Sequence, residues 1–118
     1  MTLDEISKLS NEQLNELIAK QRGYIHNSDG RWIEKDGYPR EDYFLPNYCE
    51  RWQWAGELLG EMPVETRLVN FEDDTTGNKF WVCTIVNLVY PNNADIYCQA
   101  DTPQRAIAEA YAIMECVG

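Results

Sequence analysis

The sequence predicts an α+β fold: an antiparallel β-meander of about three strands, covered by helices on both faces in an α-β-α sandwich. Three observations lead to this prediction. Residues 79–89 are apolar on both alternating faces, which is typical of a central strand in a covered sheet. The connections on either side are short, and short connections favour antiparallel hairpins. Apolar residues at helical spacing occur before and after the strands. Residues 1–118 are expected to form a single domain.

The N-terminal segment predicts two short helices. Thr2 with Glu5, and Ser10 with Gln13, both fit the capping-box pattern that begins a helix. Gly23 is expected to end the second helix, because glycine adopts the left-handed cap without strain. The buried stripe of that helix consists of Leu14, Leu17 and Ile18.

Residues 24–46 predict an irregular hairpin. Turn signals at Ser28–Gly30 and at Asp36–Gly37 flank a short strand over 31–34. Aromatic side chains are expected to pack this hairpin on the rest of the domain. They are Trp32, Tyr38, Tyr43 and Phe44.

A helix is predicted over Asn47–Met62, with Asn47 as its cap, Glu50 three residues later and Pro63 as its stop. Its apolar stripe consists of Trp52, Ala55, Leu58, Leu59 and Met62. Trp54 points about 200° away from Trp52 around the helix, so it is either covered by the preceding hairpin or exposed for contact.

The second half of the chain predicts three strands and a closing helix. The central strand is Lys79–Val89, flanked by Val64–Phe71 and Ala94–Ala100. Because both faces of the central strand are apolar, the pattern sets its register only weakly. The last helix is expected over Pro103–Cys116, with Thr102 as its cap and Pro103 in the first position. Its buried stripe consists of Ile107, Ala110, Tyr111 and Met114.

The chain is strongly acidic, with 20 acidic and 10 basic residues and a formal net charge of −10. Such a charge disfavours binding to nucleic acid or to anionic membranes. Most of the acidic excess falls in residues 41–118. That surface could attract a basic protein, or it could serve solubility alone.

The sequence predicts a cytoplasmic protein without a metal or a cofactor. The N-terminus has no basic segment followed by an apolar run, so no signal peptide is expected, and no apolar stretch is long enough for a membrane span. The cysteines include none of the close pairs that structural zinc sites use, and we expect them to be buried free thiols. They are Cys49, Cys83, Cys98 and Cys116.

Four segments resemble the phage ABA-sandwich family. They are Asp36–Gly37, Leu45–Tyr48, Trp52–Leu58 and Ala100–Ile107. The resemblance implies a phage or prophage origin and an α-β-α sandwich. It implies no activity, and it carries over no site residue, because the shared motifs are caps and core stripes. The chain departs from the family at Ala108, where the family has a cysteine.

Catalysis is not expected. His26, the one histidine, would have to act with Cys49, and no nucleophile signature surrounds that cysteine. No glycine-rich phosphate loop precedes a helix. The run Glu72–Asp74 lacks the alternating spacing of a calcium loop and is interpreted as a solvated turn.

The expected function is therefore that of a non-enzymatic phage accessory protein in the host cytoplasm. It would bind and inhibit a host or anti-phage defence component through its acidic surface, at Glu72, Asp73 and Asp74. The alternative is a sponge protein that sequesters a nucleotide, such as a defence second messenger, by stacking and phosphate contacts. That version predicts a homo-oligomer. Its ligand residues would be Trp54, Arg51, Trp32 and Arg31.

Overall fold

The fold is α+β, as predicted, with a three-stranded antiparallel sheet as its largest β element. The computed structural model describes residues 2–26, 32–33, 45–62, 66–85 and 96–117. The elements within these ranges are α1 (Leu3–Ser7), α2 (Asn11–Gln21), β1 (Ile25–His26), β2 (Trp32–Ile33), α3 (Trp52–Glu61), β3 (Thr66–Glu72), β4 (Lys79–Ile85), β5 (Ile96–Ala100) and α4 (Pro103–Val117).

The main sheet has the predicted meander order, β3-β4-β5, with antiparallel pairing and β4 in the centre. Cys83 lies opposite Leu68 on one side and Cys98 on the other, which establishes the register. We call the face that contains Cys83 the inner face, because Cys83 and Ile85 belong to the buried core. The predicted strand ends at 64–65, 86–89 and 94–95 lie outside the described residues.

Helix α4 is the central layer of the domain. One side of it contacts β4 and β5, and the other contacts α1, α2 and α3. Residues 106–113 are all buried, so this helix is enclosed nearly all round. Helix α4 covers the inner face of the sheet, as predicted. Helix α3 was also expected to cover the sheet, but it packs mainly on α4. On the outer face, Val69, Phe71 and Tyr97 are exposed.

Local signals placed most helix ends correctly. Thr2 and Ser10 both form complete capping boxes, with Glu5 and Gln13 respectively. Gly23 has φ of 89°, the left-handed conformation expected after α2. The Thr102 hydroxyl accepts from the backbone N–H of Arg105 at 3.3 Å, which caps α4.

The predicted start of the helix over 47–62 was wrong. Helix α3 begins at Trp52, and its N-cap Arg51 makes no side-chain capping bond. The Asn47 side chain instead accepts a hydrogen bond from the Asn15 amide of α2 at 3.1 Å. The Asn47 side chain is therefore engaged by a residue distant in sequence and does not cap α3. Trp52 was also wrongly placed on the core stripe, because it is 51% exposed and the buried face starts at Ala55.

The N-terminal hairpin is present as a short pairing of β1 with β2, which aligns Ile25 with Ile33 and His26 with Trp32. The rest of the predicted hairpin lies outside the described residues, including Tyr38, Tyr43 and Phe44.

The cysteines are free thiols, as predicted, and Cys49, Cys83 and Cys98 are buried. The prediction of burial was wrong for Cys116, which is exposed near the C-terminal end of α4. Burial raises the pKa of Cys83 to about 11 and that of Cys98 to about 12. Both therefore remain protonated and unreactive at neutral pH. Among the described helices, we find none with the length and apolar character needed to cross a membrane.

Candidate functional site

The hairpin formed by β3 and β4 carries two exposed large apolar side chains, Val69 and Phe71. We call residues 69–80 the hairpin arm. Residues 69–79 are exposed on both faces of the hairpin, so the arm extends beyond the part of the sheet that α4 covers. Val69 and Phe71 are each 44% exposed. Such apolar exposure is unfavourable in water unless a partner covers it.

The outer face of the arm is built by cross-strand pairs. Phe71 lies opposite Phe80, and their rings stack with centroids 5.6 Å apart and planes inclined by 16°. The next pair is Val69 with Val82, and Val82 is buried in the middle of this face. Direct cross-strand pairs of this kind stabilise a hairpin by up to about 1 kcal/mol each. The arm is therefore an ordered surface, even where α4 does not support it.

The tip of the arm carries the acidic residues that the sequence singled out. The backbone N–H of Asp73 donates to the Asn78 carbonyl, and the N–H of Gly77 donates to the Asp73 carbonyl, both at 2.8 Å. The Asp73 carboxylate accepts from the N–H of Thr75 at 2.8 Å, an arrangement typical of an aspartate turn. Gly77 has φ of 72°, which favours glycine at this position.

The structure thus brings the predicted interaction residues together with the apolar surface. Glu72, Asp73 and Asp74 are all exposed, and Glu72 directly follows Phe71 in β3. Because side chains alternate along a strand, Glu72 lies on the inner face and the phenylalanine pair on the outer face, and Asp73 and Asp74 follow in the turn beyond them. Lys79, directly opposite Glu72, supplies one positive charge at the same end.

The residues predicted to bind a nucleotide are less favourably arranged. Trp54 is half-buried, and its ring meets the Tyr48 ring edge-on, with centroids 6.2 Å apart. Arg51 is exposed at the start of α3. Trp32 is described only as a backbone position in β2, and Arg31 lies outside the described residues. Stacking of a base on Trp54 would have to displace or share its contact with Tyr48.

A polar cleft of about 610 Å³ opens between the N-terminal helices and the end of β5. Its lining consists of Ser7, Leu9, Ser10, Asn11, Gln99, Ala100, Asp101, Thr102, Arg105 and Glu109. Arg105 donates to the Leu9 carbonyl at 2.8 Å, the Ile6 carbonyl at 3.3 Å and the Asn11 side chain at 2.9 Å.

Arg105 also forms an ion pair with Glu109, whose Oε2 lies 3.3 Å from its Nε. Each nitrogen of the guanidinium therefore already has a protein partner. The arginine ties α1 and the start of α2 to α4, and it is committed to the fold rather than available to an anionic ligand.

Glu109 is 3% exposed, and burial raises the pKa of its carboxyl while Arg105 opposes the rise. A raised pKa means that the folded state binds this proton more tightly than the unfolded chain does. The stabilising contribution of the protonated form is complete below the ordinary value of 4.5, and it is lost as the pH rises through the folded-state pKa.

We therefore expect Glu109→Gln to gain stability relative to the natural protein as the pH is raised from 4 to 7. Urea denaturation at a series of pH values would measure this difference. Glu12→Gln, which removes one exposed carboxylate from α2, controls for the change in net charge. A difference between natural protein and Glu109→Gln that stays constant with pH, or that changes equally for Glu12→Gln, would contradict the assignment.

A second polar cluster joins the end of α2 to α3 and α4. Arg22 donates to the Tyr48 hydroxyl at 3.0 Å and forms ion pairs with Glu57 at 3.2 Å and Glu61 at 2.7 Å. The Tyr111 hydroxyl donates to Glu61 at 2.8 Å. Burial raises the pKa of both Tyr48 and Tyr111, so both hydroxyls remain protonated, and the Tyr48 hydroxyl accepts from Arg22 whereas the Tyr111 hydroxyl donates to Glu61. This cluster holds the helices together.

Cys49 does not have the environment of a nucleophile. Its thiol is buried against the Asn11 carbonyl, with Sγ 3.6 Å from that oxygen, and burial raises its pKa to about 11. Within the described residues, no group of three metal-ligating side chains comes together. The His26 side chain is not among the described side chains.

Two features of this arrangement were missed in the sequence. The Arg105–Glu109 pair had a signal, since two opposite charges four residues apart interrupt an otherwise apolar helix. The exposure of Val69 and Phe71 had none, because a strand pattern does not show which layers cover it.

Comparison of the chain with protein-family models, curated proteins and solved structures gives no match. The similarity to the phage ABA-sandwich family therefore stays a prediction.

Proposed function

We propose that this protein is a non-enzymatic binding protein that docks on a basic partner protein through the hairpin arm and inhibits it. The observation that carries the proposal is the contiguity of two surfaces on the arm. Exposed Val69 and the Phe71–Phe80 pair lie on the outer face of the arm, and the chain continues directly into the exposed acidic residues Glu72, Asp73 and Asp74, of which Glu72 lies on the inner face. Protein interfaces commonly combine an aromatic centre with a charged rim in this way.

The two surfaces would contribute differently to binding. Covering the exposed apolar area would supply most of the affinity, at about 25 cal/mol per Å² of surface removed from water. The acidic tip, in a chain with a net charge of −10, would speed association with a positively charged partner and orient it. Salt would weaken the second contribution and leave the first largely intact.

The class of partner follows from the family resemblance. If the chain is a phage protein, as its similarity to the phage ABA-sandwich family implies, its partner is a bacterial host protein or an anti-phage defence component. It would then act in the host cytoplasm.

The test is capture from bacterial lysate with the immobilised protein, compared with the double variant Asp73→Asn/Asp74→Asn. Asparagine keeps an oxygen that can accept the Thr75 N–H, so the turn is retained while two charges are removed. We expect the variant to retain about tenfold less of the partner at low salt, and retention by the natural protein to fall by about tenfold, without being abolished, at about 0.5 M salt.

The matched control is Glu12→Gln/Glu115→Gln, which removes two exposed charges from α2 and α4. This control should capture the partner as the natural protein does. Equal losses in both double variants would show that only net charge matters. Retention that ignores both salt and the Asp73 and Asp74 substitutions would overturn the proposal, and so would a captured partner whose activity is unchanged by the protein.

A further inference from the structure

Strand β3 forms one edge of the main sheet. In the strand order β3-β4-β5, its described neighbour is β4. Its register with β4 is continuous from Thr66–Ile85 to Glu72–Lys79, without a bulge. Every second N–H and C=O of β3 therefore points away from β4, and such a row of groups is a template for another strand.

Edge strands are commonly protected by charged side chains, proline or bulges, and β3 has only the first of these, in Arg67 and Glu72. Its seven residues, Thr66–Glu72, include no proline and no lysine. Its side chains become more exposed toward the tip, from half-buried Thr66 and Leu68 to exposed Asn70 and Phe71. A second chain could thus reach the edge along the arm.

We propose that the partner protein binds by adding an extended segment to β3 as a further antiparallel strand of the sheet. This inference rests on the proposed function and specifies its mode of binding. Main-chain hydrogen bonds to the edge of β3, where no described strand pairs, would hold the segment, and the side chains opposite β3 would select its sequence. Antiparallel pairing is the more stable arrangement and continues the pattern of the existing sheet.

Antiparallel pairing defines the chemistry of the segment. Its first residues would lie beside Glu72 and the acidic tip, which favours lysine or arginine there. The residues opposite Phe71 and Val69 share their outer face and would be apolar or β-branched. The residue opposite Arg67, at the far end of the edge, would be acidic or polar.

Charge favours a basic partner over a second copy of this chain. Two copies would each bring a net charge of −10, and this repulsion opposes self-association. A segment that starts with basic residues instead gains attraction at the tip. The acidic tip and the edge of β3 therefore point to the same occupant.

A synthetic peptide tests this mode directly. The probe is Lys-Lys-Val-Thr-Val-Thr-Glu-Thr with a fluorescent label, and its binding is followed by anisotropy and by amide hydrogen exchange of β3. In an added strand only alternate N–H groups face β3. Methylation of the peptide nitrogens that face β3 should therefore weaken the affinity of the peptide by about tenfold or more. Methylation of the nitrogens that face away from β3 should change the affinity by about twofold at most. Equal effects of the two methylation patterns, or no peptide binding at all, would overturn the proposal.

Two protein variants separate edge pairing from docking on the flat outer face. Val69→Lys places a positive charge on β3, and Tyr97→Lys places the same charge on the same face of β5, where Tyr97 is 53% exposed. Strand addition predicts that Val69→Lys weakens peptide binding about tenfold, whereas Tyr97→Lys changes it by about twofold at most. Circular dichroism checks that both variants are folded.

Capture of the lysate partner by Val69→Lys and by Tyr97→Lys distinguishes the failure of this inference from the failure of the proposed function. Loss of capture with Tyr97→Lys as well as Val69→Lys would leave the function standing and replace strand addition by docking on the flat face. If the peptide binds at β3 but the Asp73 and Asp74 substitutions do not reduce capture from lysate, strand addition would be supported and the function of the acidic surface would be overturned. A dimeric mass without peptide would assign the edge to a second copy, and the proposal would fail.

Discussion

Replacement of Arg105 by alanine is expected to lower the free energy of unfolding by about 3–5 kcal/mol. The substitution would leave the Glu109 carboxylate buried without its ion-pair partner. It would also remove the donor that reaches the Leu9 carbonyl and the Asn11 side chain. A loss of this size is a large fraction of the stability of a small domain, and urea denaturation at neutral pH measures it.

Two companion variants identify the cause. Arg105→Lys keeps the charge but loses the planar fork, so it should recover part of the loss. Arg105→Met combined with Glu109→Leu buries no charge, and it should be more stable than Arg105→Ala alone. An Arg105→Ala protein within about 1 kcal/mol of the natural protein would show that the network contributes little, since ordinary exposed ion pairs contribute no more than this.

Replacement of Ile85 by aspartate is expected to unfold the domain. Ile85 is 2% exposed, on the inner face of the central strand, within the core that α4 completes. An aspartate there would lose the packing of a large apolar side chain and bury a charge without a partner. Together these losses reach or exceed the roughly 5–15 kcal/mol that stabilises a typical domain. Circular dichroism and one-dimensional NMR would detect the unfolded chain.

Tyr97→Asp is the matched control for this prediction. Tyr97 lies on the neighbouring strand but on the outer face, where it is 53% exposed. It should therefore accept a charge and remain folded. If Ile85→Asp gave a native spectrum and a cooperative transition, the assignment of the inner face would be wrong.

Local chemistry explains what could be predicted from the sequence. Capping boxes, the left-handed glycine and proline at the first helical position depend on neighbours within a few residues, so Thr2, Ser10, Gly23 and Pro103 marked helix ends correctly. The central position of β4 could be predicted because its two faces are both apolar.

Tertiary competition explains what could not be predicted. Asn47 has the side chain of a cap, but it accepts from Asn15 in another helix, and α3 begins at Trp52 instead. Val69 and Phe71 resemble core residues in the alternating pattern and are nevertheless exposed. Likewise, the Glu72–Asp74 run could be predicted to form a turn, but its contiguity with an apolar arm required the register of β3 and β4.

The enclosure of α4 has a consequence for the order of folding during synthesis. Its helical partners α1, α2 and α3 precede it in the chain by long intervals, as the bond from Arg105 to the Leu9 carbonyl, across 96 positions, illustrates. Contacts of high sequence separation form slowly and late. As the ribosome extends the chain, β4 and β5 emerge before the helix that covers their inner face. Cys83 and Ile85 therefore stay open to water, to oxidants and to chaperones until residues 103–117 have left the exit tunnel.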